Sequence, residues 1–194
     1  MPAPSAPAVL VVDDDPGALH LVTQTLRAGG YDVVEAKSGA TALEQVRYRD
    51  FAVIVSDQRM PGVSGLEFFH QVRDLQSDAS RVLLTGVVDV DTIINAINQG
   101  EVYRFLVKPW LREEMLATIR DASQRHELIR QNAALKARLE QTIAELGDRC
   151  RELEQRNRML QGQVSQLLEL VGDQKELVAR ALYNERGELR SPPA

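Results

Sequence analysis

Short apolar runs alternate with helical stripes along about the first 120 residues of this chain, and a long heptad pattern follows them. Val9-Leu10-Val11-Val12, residues 31–36, Val53-Ile54-Val55, residues 81–86 and residues 103–109 read as strands. The first and third are so continuously apolar and β-branched that burial on both faces is expected. Between them lie four helical faces: Leu19, Leu21, Val22 and Leu26; Ala42, Leu43 and Val46 in 39–48; Leu66, Phe68, Phe69 and Val72 in 65–75; and Ile93, Ile94 and Ile97 in 91–99. Pro16-Gly17 opens the first helix and Gly29-Gly30 stops it, while Pro61-Gly62 and Ser64-Gly65 mark a loop ending at a helix N-cap. Strands that alternate with helices predict an α/β fold, a doubly wound five-stranded parallel sheet with helices on both faces and right-handed crossovers.

Candidate chemistry collects at the ends of four strands. The first run delivers Asp13-Asp14-Asp15, the third Asp57, the fourth Thr85-Gly86 and the fifth Lys108-Pro109. An aspartate after a strand is ordinarily a turn or cap residue. In a doubly wound sheet, however, all of these ends lie along one edge, where ligands bind. Clustered carboxylates repel one another unless a hard cation sits among them, and oxygen-only ligands favour Mg²⁺. The combination suits phosphoryl transfer: Asp57 as an oxygen nucleophile, Lys108 as a second positive charge, Thr85 as a hydroxyl donor and Gly86 as an open backbone N–H.

Composition narrows the picture. The 194 residues, 44% hydrophobic and 26% charged, hold one domain and an extension. The apolar runs are too short to span a membrane, and Met1-Pro2-Ala3-Pro4-Ser5 lacks the basic start of a signal peptide, so a cytoplasmic protein is expected. A single cysteine, Cys150, rules out an intramolecular disulfide. The net charge of −5 disfavours direct nucleic-acid binding. That charge is uneven: residues 1–125 carry 12 Lys+Arg against 17 Asp+Glu, and residues 126–194 carry 11 of each, which separates two regions.

Asp13-Asp14, Asp57-x-x-Met60-Pro61-x-x-x-Gly65, Thr85-Gly86 and Phe105-x-x-Lys108-Pro109 together resemble the receiver domain of two-component response regulators. The resemblance implies a flavodoxin-like sheet of order 2-1-3-4-5, the order of the chemotaxis receiver. It further implies Asp57 as phospho-acceptor, with Mg²⁺ bound by Asp14, Asp57 and the Arg59 carbonyl and by Asp13 through water. Thr85 and Phe105 become a switch pair, and a sensor histidine kinase or phosphotransfer protein the donor. The implied activity is self-catalysed phosphoryl transfer and autodephosphorylation, without other enzymatic turnover. Residues 94–110 are similar to receivers that precede an ATPase activating transcription or a cyclic-dinucleotide phosphodiesterase. This sequence departs from that pattern, since the stretch after 125 is too short for either and holds no Gly-rich nucleotide loop or His-Asp motif.

The later stretch carries heptads instead. Positions a are Ile143, Cys150, Asn157, Val164, Val171 and Val178, and positions d are Leu146, Leu153, Leu160, Leu167, Gln174 and Ala181; ten of the twelve are apolar. β-Branched residues at a with leucine at d favour a parallel two-stranded coil, Asn157 fixes register, and Arg149 at g can reach Glu154 at e of a partner. Leu128, Asn132, Leu135 and Leu139 extend the seam upstream through a stutter, and Leu168, Leu170, Leu177 and Leu182 widen it downstream. Gly147, Gly162 and Gly172 weaken a continuous helix. A helix folded back on the first region is the other reading of the stripe.

The resulting expectation is a tail at 1–7, a receiver at 8–125, a coiled-coil helix at 126–186 and a tail at 187–194. Phosphorylation would be relayed to the coil, a parallel homodimer through 126–186 or a docking site for an unknown downstream protein. Two alternatives compete. Asp13-x-Asp15, Thr85 and Lys108 also resemble phosphatases of the haloacid dehalogenase type, but Pro16-Gly17 and Glu113-Glu114 depart from that pattern and Asp57 is left without a role. The other is a regulator acting on transcription or cyclic-dinucleotide signalling through a separate output protein.

Overall fold

A computed structural model of the chain describes residues 6–86, 96–182 and 187. They form β1 (Ala8–Val12), α1 (Pro16–Ala28), β2 (Asp32–Ala36), α2 (Gly39–Tyr48), β3 (Val53–Asp57), α3 (Gly65–Leu75), β4 (Ser80–Thr85), β5 (Arg104–Val107) and α4 (Arg112–Leu182). The sheet is parallel throughout in the order β2-β1-β3-β4-β5. This is the doubly wound fold that the strand and helix alternation predicts. The expected 91–99 helix is described only in its last turn, 96–98; Ile93 and Ile94 lie outside the described residues, as do 1–5 and most of 187–194. The chain divides into two units, Met1–Leu135 and Lys136–Ala194.

Side chains alternate across the strands, so each strand feeds two cores. Leu10, Val12, Ile54 and Leu83 point to the side of α2 and α3, where Phe68, Phe69 and Phe51 fill the layer. Val9, Val11, Val55, Val82 and Leu106 point to the side of α1 and the first turns of α4, against Leu19, Leu26, Met115 and Ile119. Every residue of β3 and β4 is buried, the continuous apolar reading of a central parallel strand.

The helix termini follow local chemistry. Asp15 caps α1 by accepting the Gly17 N–H, with Pro16 beside it. Ser64 and Glu67 form a capping box on α3, and the Ser64 N–H holds the Glu67 carboxyl below its ordinary range. One expectation needs correction: Leu21 is 57% exposed, and Thr23 occupies the buried stripe of α1 with Leu19, Val22 and Leu26. Those four have i, i+3, i+4, i+7 spacing, and Leu21 falls off that arc, so period outranks residue type here.

Two buried polar side chains fasten the loops at the amino ends of the strands. Gln76 accepts the Phe51 N–H at 3.0 Å and donates to the carbonyls of Val46 and Arg49, both at 2.7 Å. Arg81 donates to the carbonyls of Gln76, Ala79, Gly100 and Glu101. Burial, together with the charges of Arg125 and Arg73, draws its pKa below the ordinary arginine value. Within the first unit, His126, buried near its carboxyl end, still meets the Asp78 carbonyl at 3.0 Å.

In the second unit, α4 passes Gly147, Gly162 and Gly172 without a break. Local pairs such as Gln141–Glu145 and Arg158–Glu154 lie along it, exposed and each worth little. The heptad side chains stand in the open: Ile143 is 61% exposed, Leu153 59% and Leu167 61%.

Replacing Gln76 with Ala strips partners from one buried N–H and two carbonyls, and each unsatisfied group costs about 1–3 kcal/mol. The Gln76→Ala protein is expected to lose about 2–4 kcal/mol of stability in the first unit, read by urea unfolding followed by circular dichroism. An unchanged midpoint would show that water substitutes for the amide.

Candidate functional site

Four strand ends define the site. Asp57 and Thr85 are the last residues of β3 and β4, while Asp13 and Lys108 immediately follow β1 and β5. Parallel pairing puts these four at the carboxyl edge of the sheet, so residues far apart in sequence meet there. Asp13 is 1% exposed and Asp57 7%, whereas Asp14 points to solvent.

Two buried carboxylates side by side need a counter-charge, and Lys108 supplies it. Its Nζ lies 3.0 Å from Asp13 Oδ2 and also hydrogen-bonds Asp57 Oδ1. Burial pulls the Lys108 pKa down, but the hydrogen bonds and charges of Asp57 and Asp13 together outweigh burial and hold it above the ordinary value. The remaining oxygens have backbone donors: Asp15 N–H to Asp13 Oδ1 at 2.9 Å, and Arg59 N–H to Asp57 Oδ2 at 2.6 Å. All four carboxylate oxygens therefore have a partner, two from the loops and two from one ammonium.

Neighbouring backbone fixes this geometry. The Lys108 N–H donates to the Thr85 carbonyl at 2.7 Å, extending the β4–β5 ladder one step past the Thr85–Val107 pair, two residues beyond the level of Asp57. Thr85 is buried. Phe105 pairs with Leu83 and is half-buried, on the same sheet face as Thr85 by strand parity. After Asp57 the chain turns back: the Gln58 N–H donates to the Leu84 carbonyl and the Gly65 N–H to the Gln58 carbonyl. A Cβ on Gly65 would sit 2.3 Å from the Asp57 carbonyl oxygen, so only glycine lets α3 start this close to the site. Gly86 has open space around it.

The structure thus brings Asp13, Asp57 and Lys108 together, sets Thr85 beside them through backbone, and leaves Asp14 and Arg59 at the exposed rim. Sequence reasoning missed Trp110, whose ring centroid is 5.8 Å from Lys108 Nζ. Its place two residues after the lysine was the available signal; the Lys108–Pro109 bond between them is cis. A cleft of about 830 Å³ lies elsewhere, at the amino ends of β1 to β3 among Pro7, Asp32, Phe51 and His126, away from this chemistry.

The donor set suits a hard cation: three carboxylates and a backbone carbonyl, all oxygen. Among the described residues no three side chains form a ready cage. Mg²⁺ asks for less than a cage, since it keeps several waters and binds through one or two carboxylates, so the set fits it.

Comparison with known proteins agrees with this geometry. A family model described as the response regulator receiver domain matches residues 9–120. The C4-dicarboxylate transport transcriptional regulatory protein DctD of Pseudomonas aeruginosa is 32% identical over 186 residues, covering 91% of this chain and 40% of the relative. Curated relatives of this kind are much longer, and the chain spans 23% to 40% of their length. Among solved structures, the signal receiver domain of an HD domain-containing protein from Pseudomonas fluorescens is 29% identical with a TM-score of 0.63, covering 68% of this chain and 96% of that one. The Vibrio cholerae chemotaxis protein CheY4 is 30% identical with a TM-score of 0.57, covering 60% and 98%. No described helix is long and apolar enough to cross a membrane.

The Lys108 pairing makes a pH prediction. A lysine whose folded pKa is raised stabilises the fold fully below its unfolded pKa, near the ordinary 10.5, and that contribution is lost as pH climbs through the higher folded value. Wild-type stability is therefore expected to fall more steeply above pH 10.5 than that of Lys108→Met, measured as urea midpoints across the alkaline range. Parallel curves would mean that the ammonium is solvated and not bonded to the two carboxylates.

Proposed function

Because the chain belongs to the response regulator receiver family, we propose that Asp57 is its phospho-acceptor in a two-component phosphorelay and that residues 126–186 read out the phosphorylated state as a parallel coiled-coil dimer. The observation that carries the first half is the Lys108 bridge between Asp13 and Asp57, which places a cation beside the one carboxylate that ends the central strand. The donor is a sensor histidine kinase or a phosphotransfer protein. An Asp57 oxygen attacks the phosphorus of its phosphohistidine, a P–O bond forms, the P–N bond breaks, and the imidazole leaves. Asp13, Asp14, Asp57 and the Arg59 carbonyl are the groups that would hold Mg²⁺, which supplies positive charge to the phosphoryl oxygens when bound.

Each neighbouring residue then has a task. Lys108 transfers one hydrogen bond from the Asp57 carboxylate to a phosphoryl oxygen and keeps its contact with Asp13. The Thr85 hydroxyl turns to the same group, and Phe105, on the same face, follows into the volume it leaves. Such a two-position element is what a phosphorylation switch biases. Turnover of other substrates has no part in this scheme, and the output passes to another protein.

The coiled-coil half rests on the heptads. Valine and isoleucine at a, leucine at d, a register asparagine and an Arg149/Glu154 pair specify two parallel strands, and Ile143, Leu146, Leu153, Leu160, Val164, Leu167, Val171 and Val178 of that seam are exposed.

Incubation with Mg²⁺ and a small-molecule phosphodonor is expected to add one phosphoryl group per chain by intact-mass measurement, and Asp57→Asn to add none. Labelling of that variant at Asp13 would favour the phosphatase-like alternative. For the dimer, Cys150 is an exposed thiol at an a position, so equivalent sulfurs face each other across a parallel seam. Mild oxidation is expected to give a covalent dimer on non-reducing gels, with Cys150→Ser giving none yet sedimenting as a dimer. A monomeric mass at micromolar concentration would refute the pairing.

A further inference from the structure

Three attractions act on the Lys108 ammonium, and they differ in kind. Two come from carboxylates: Nζ lies 3.0 Å from Asp13 Oδ2 and also bonds Asp57 Oδ1. The third comes from Trp110, the chain's only tryptophan, whose ring centroid is 5.8 Å from Nζ. That distance is inside the limit of about 6 Å at which a cation feels the negative face of an indole. The ring is itself held. Trp110 packs on the apolar cluster that contains Val11, Val55 and Leu106, whereas the next residue, Leu111, is 70% exposed. A side chain already anchored in that layer has little rotamer freedom left to lose in meeting the lysine.

The two carboxylates have a second claim on them. Asp13 and Asp57 are among the groups that would hold Mg²⁺, and a divalent ion there draws on the same negative charge and repels a neighbouring ammonium. Once an Asp57 oxygen bonds phosphorus, that carboxylate is no longer an anion either. Water is the competing partner, because the Lys108 side chain is 27% exposed and a lysine released to solvent regains the freedom of a long flexible stem. Of the three attractions, only the π face is left untouched. A hard cation that seeks oxygen has no use for an indole ring, and phosphoryl transfer does not consume it.

We propose that Trp110 is a positioning residue for phosphoryl transfer: its ring keeps the Lys108 ammonium at the site while a divalent ion occupies the carboxylates that otherwise hold it. The inference rests on the phospho-acceptor reading above and adds a residue to it. The chain has four lysines, and Lys37, Lys136 and Lys175 are exposed, so the full chain made with ε-¹³C lysine gives one methylene resonance set apart from three alike. The ring current of Trp110 is expected to move the Lys108 ε-methylene protons upfield of those three, both without Mg²⁺ and with it, and Trp110→Leu to abolish the displacement. Lys108 protons that join the other three when Mg²⁺ is added would overturn the proposal. The rate of Asp57 phosphorylation by a small-molecule donor with Mg²⁺ gives a second readout. Trp110→Leu is expected to slow it about two- to fivefold, the size of a partly exposed cation–π contact, and Trp110→Phe, which keeps a π face, to lose less. In a Lys108→Met background the same Leu change is expected to cost nothing further. Equal slowing in both backgrounds, or a Phe variant as slow as the Leu one, would mean that Trp110 acts through packing and would sink the positioning role. A wild type that takes no phosphoryl group would sink the phospho-acceptor reading and this role with it, while the methylene shift still reports the contact of ring and ammonium.

Discussion

One ammonium between two buried carboxylates is the constraint on which the receiver depends. Asp13 and Asp57 come from different strands, both lie inside the protein, and Lys108 touches both. Removing one partner from a buried ionic cluster is far more costly than the cluster's net contribution, because the remaining charge stays desolvated. The three strand ends must therefore coincide to within the reach of a hydrogen bond. Several features of the fold serve that requirement: the ladder bond from Lys108 N–H to the Thr85 carbonyl, the backbone donors from Asp15 and Arg59, and the lack of a side chain at Gly65.

On the proposed phospho-acceptor reading, the same arrangement prepares a site for an anion. A carboxylate already paired with a cation loses little when that cation shifts part of its bonding to an incoming phosphoryl group, and Lys108 has three donors with which to do so. Trp110, its ring centroid 5.8 Å from Nζ, offers a π face that favours a positive charge at this point without competing for its hydrogen bonds.

Most of the fold and the convergence of Asp13, Asp57 and Lys108 could be read from sequence because strand ends announce themselves: an apolar β-branched run followed by Asp, Thr or Lys admits few placements in a parallel sheet. What could not be read was tertiary. Leu21 looks like a core residue until the packed arc of α1 is known, and Thr23 looks like a surface one. Gln76 and Arg81 belong to no motif, yet they fasten loops through backbone carbonyls that sequence does not reveal. The three helical glycines weaken α4 by about 1 kcal/mol each in isolation, yet the helix runs through all of them.

The start of α4 shows why an event at Lys108 need not dissipate locally. Only residues 109–111 separate the lysine from the helix, and the helix's first turns place Met115, Thr118, Ile119 and Ala122 in the core. Met115 and Ile119 belong to the cluster that contains Val11, Val55 and Leu106, the residues just inside the ends of β1, β3 and β5. A densely packed layer of this kind does not deform by small continuous amounts; it holds one arrangement or passes to another. On the proposed phospho-acceptor reading, a shift of Lys108 toward a phosphoryl group would act on the short segment that anchors α4 to this layer. The segment that joins site to helix is thus also one the core holds in place, which is the physical basis for expecting a discrete rather than a graded response.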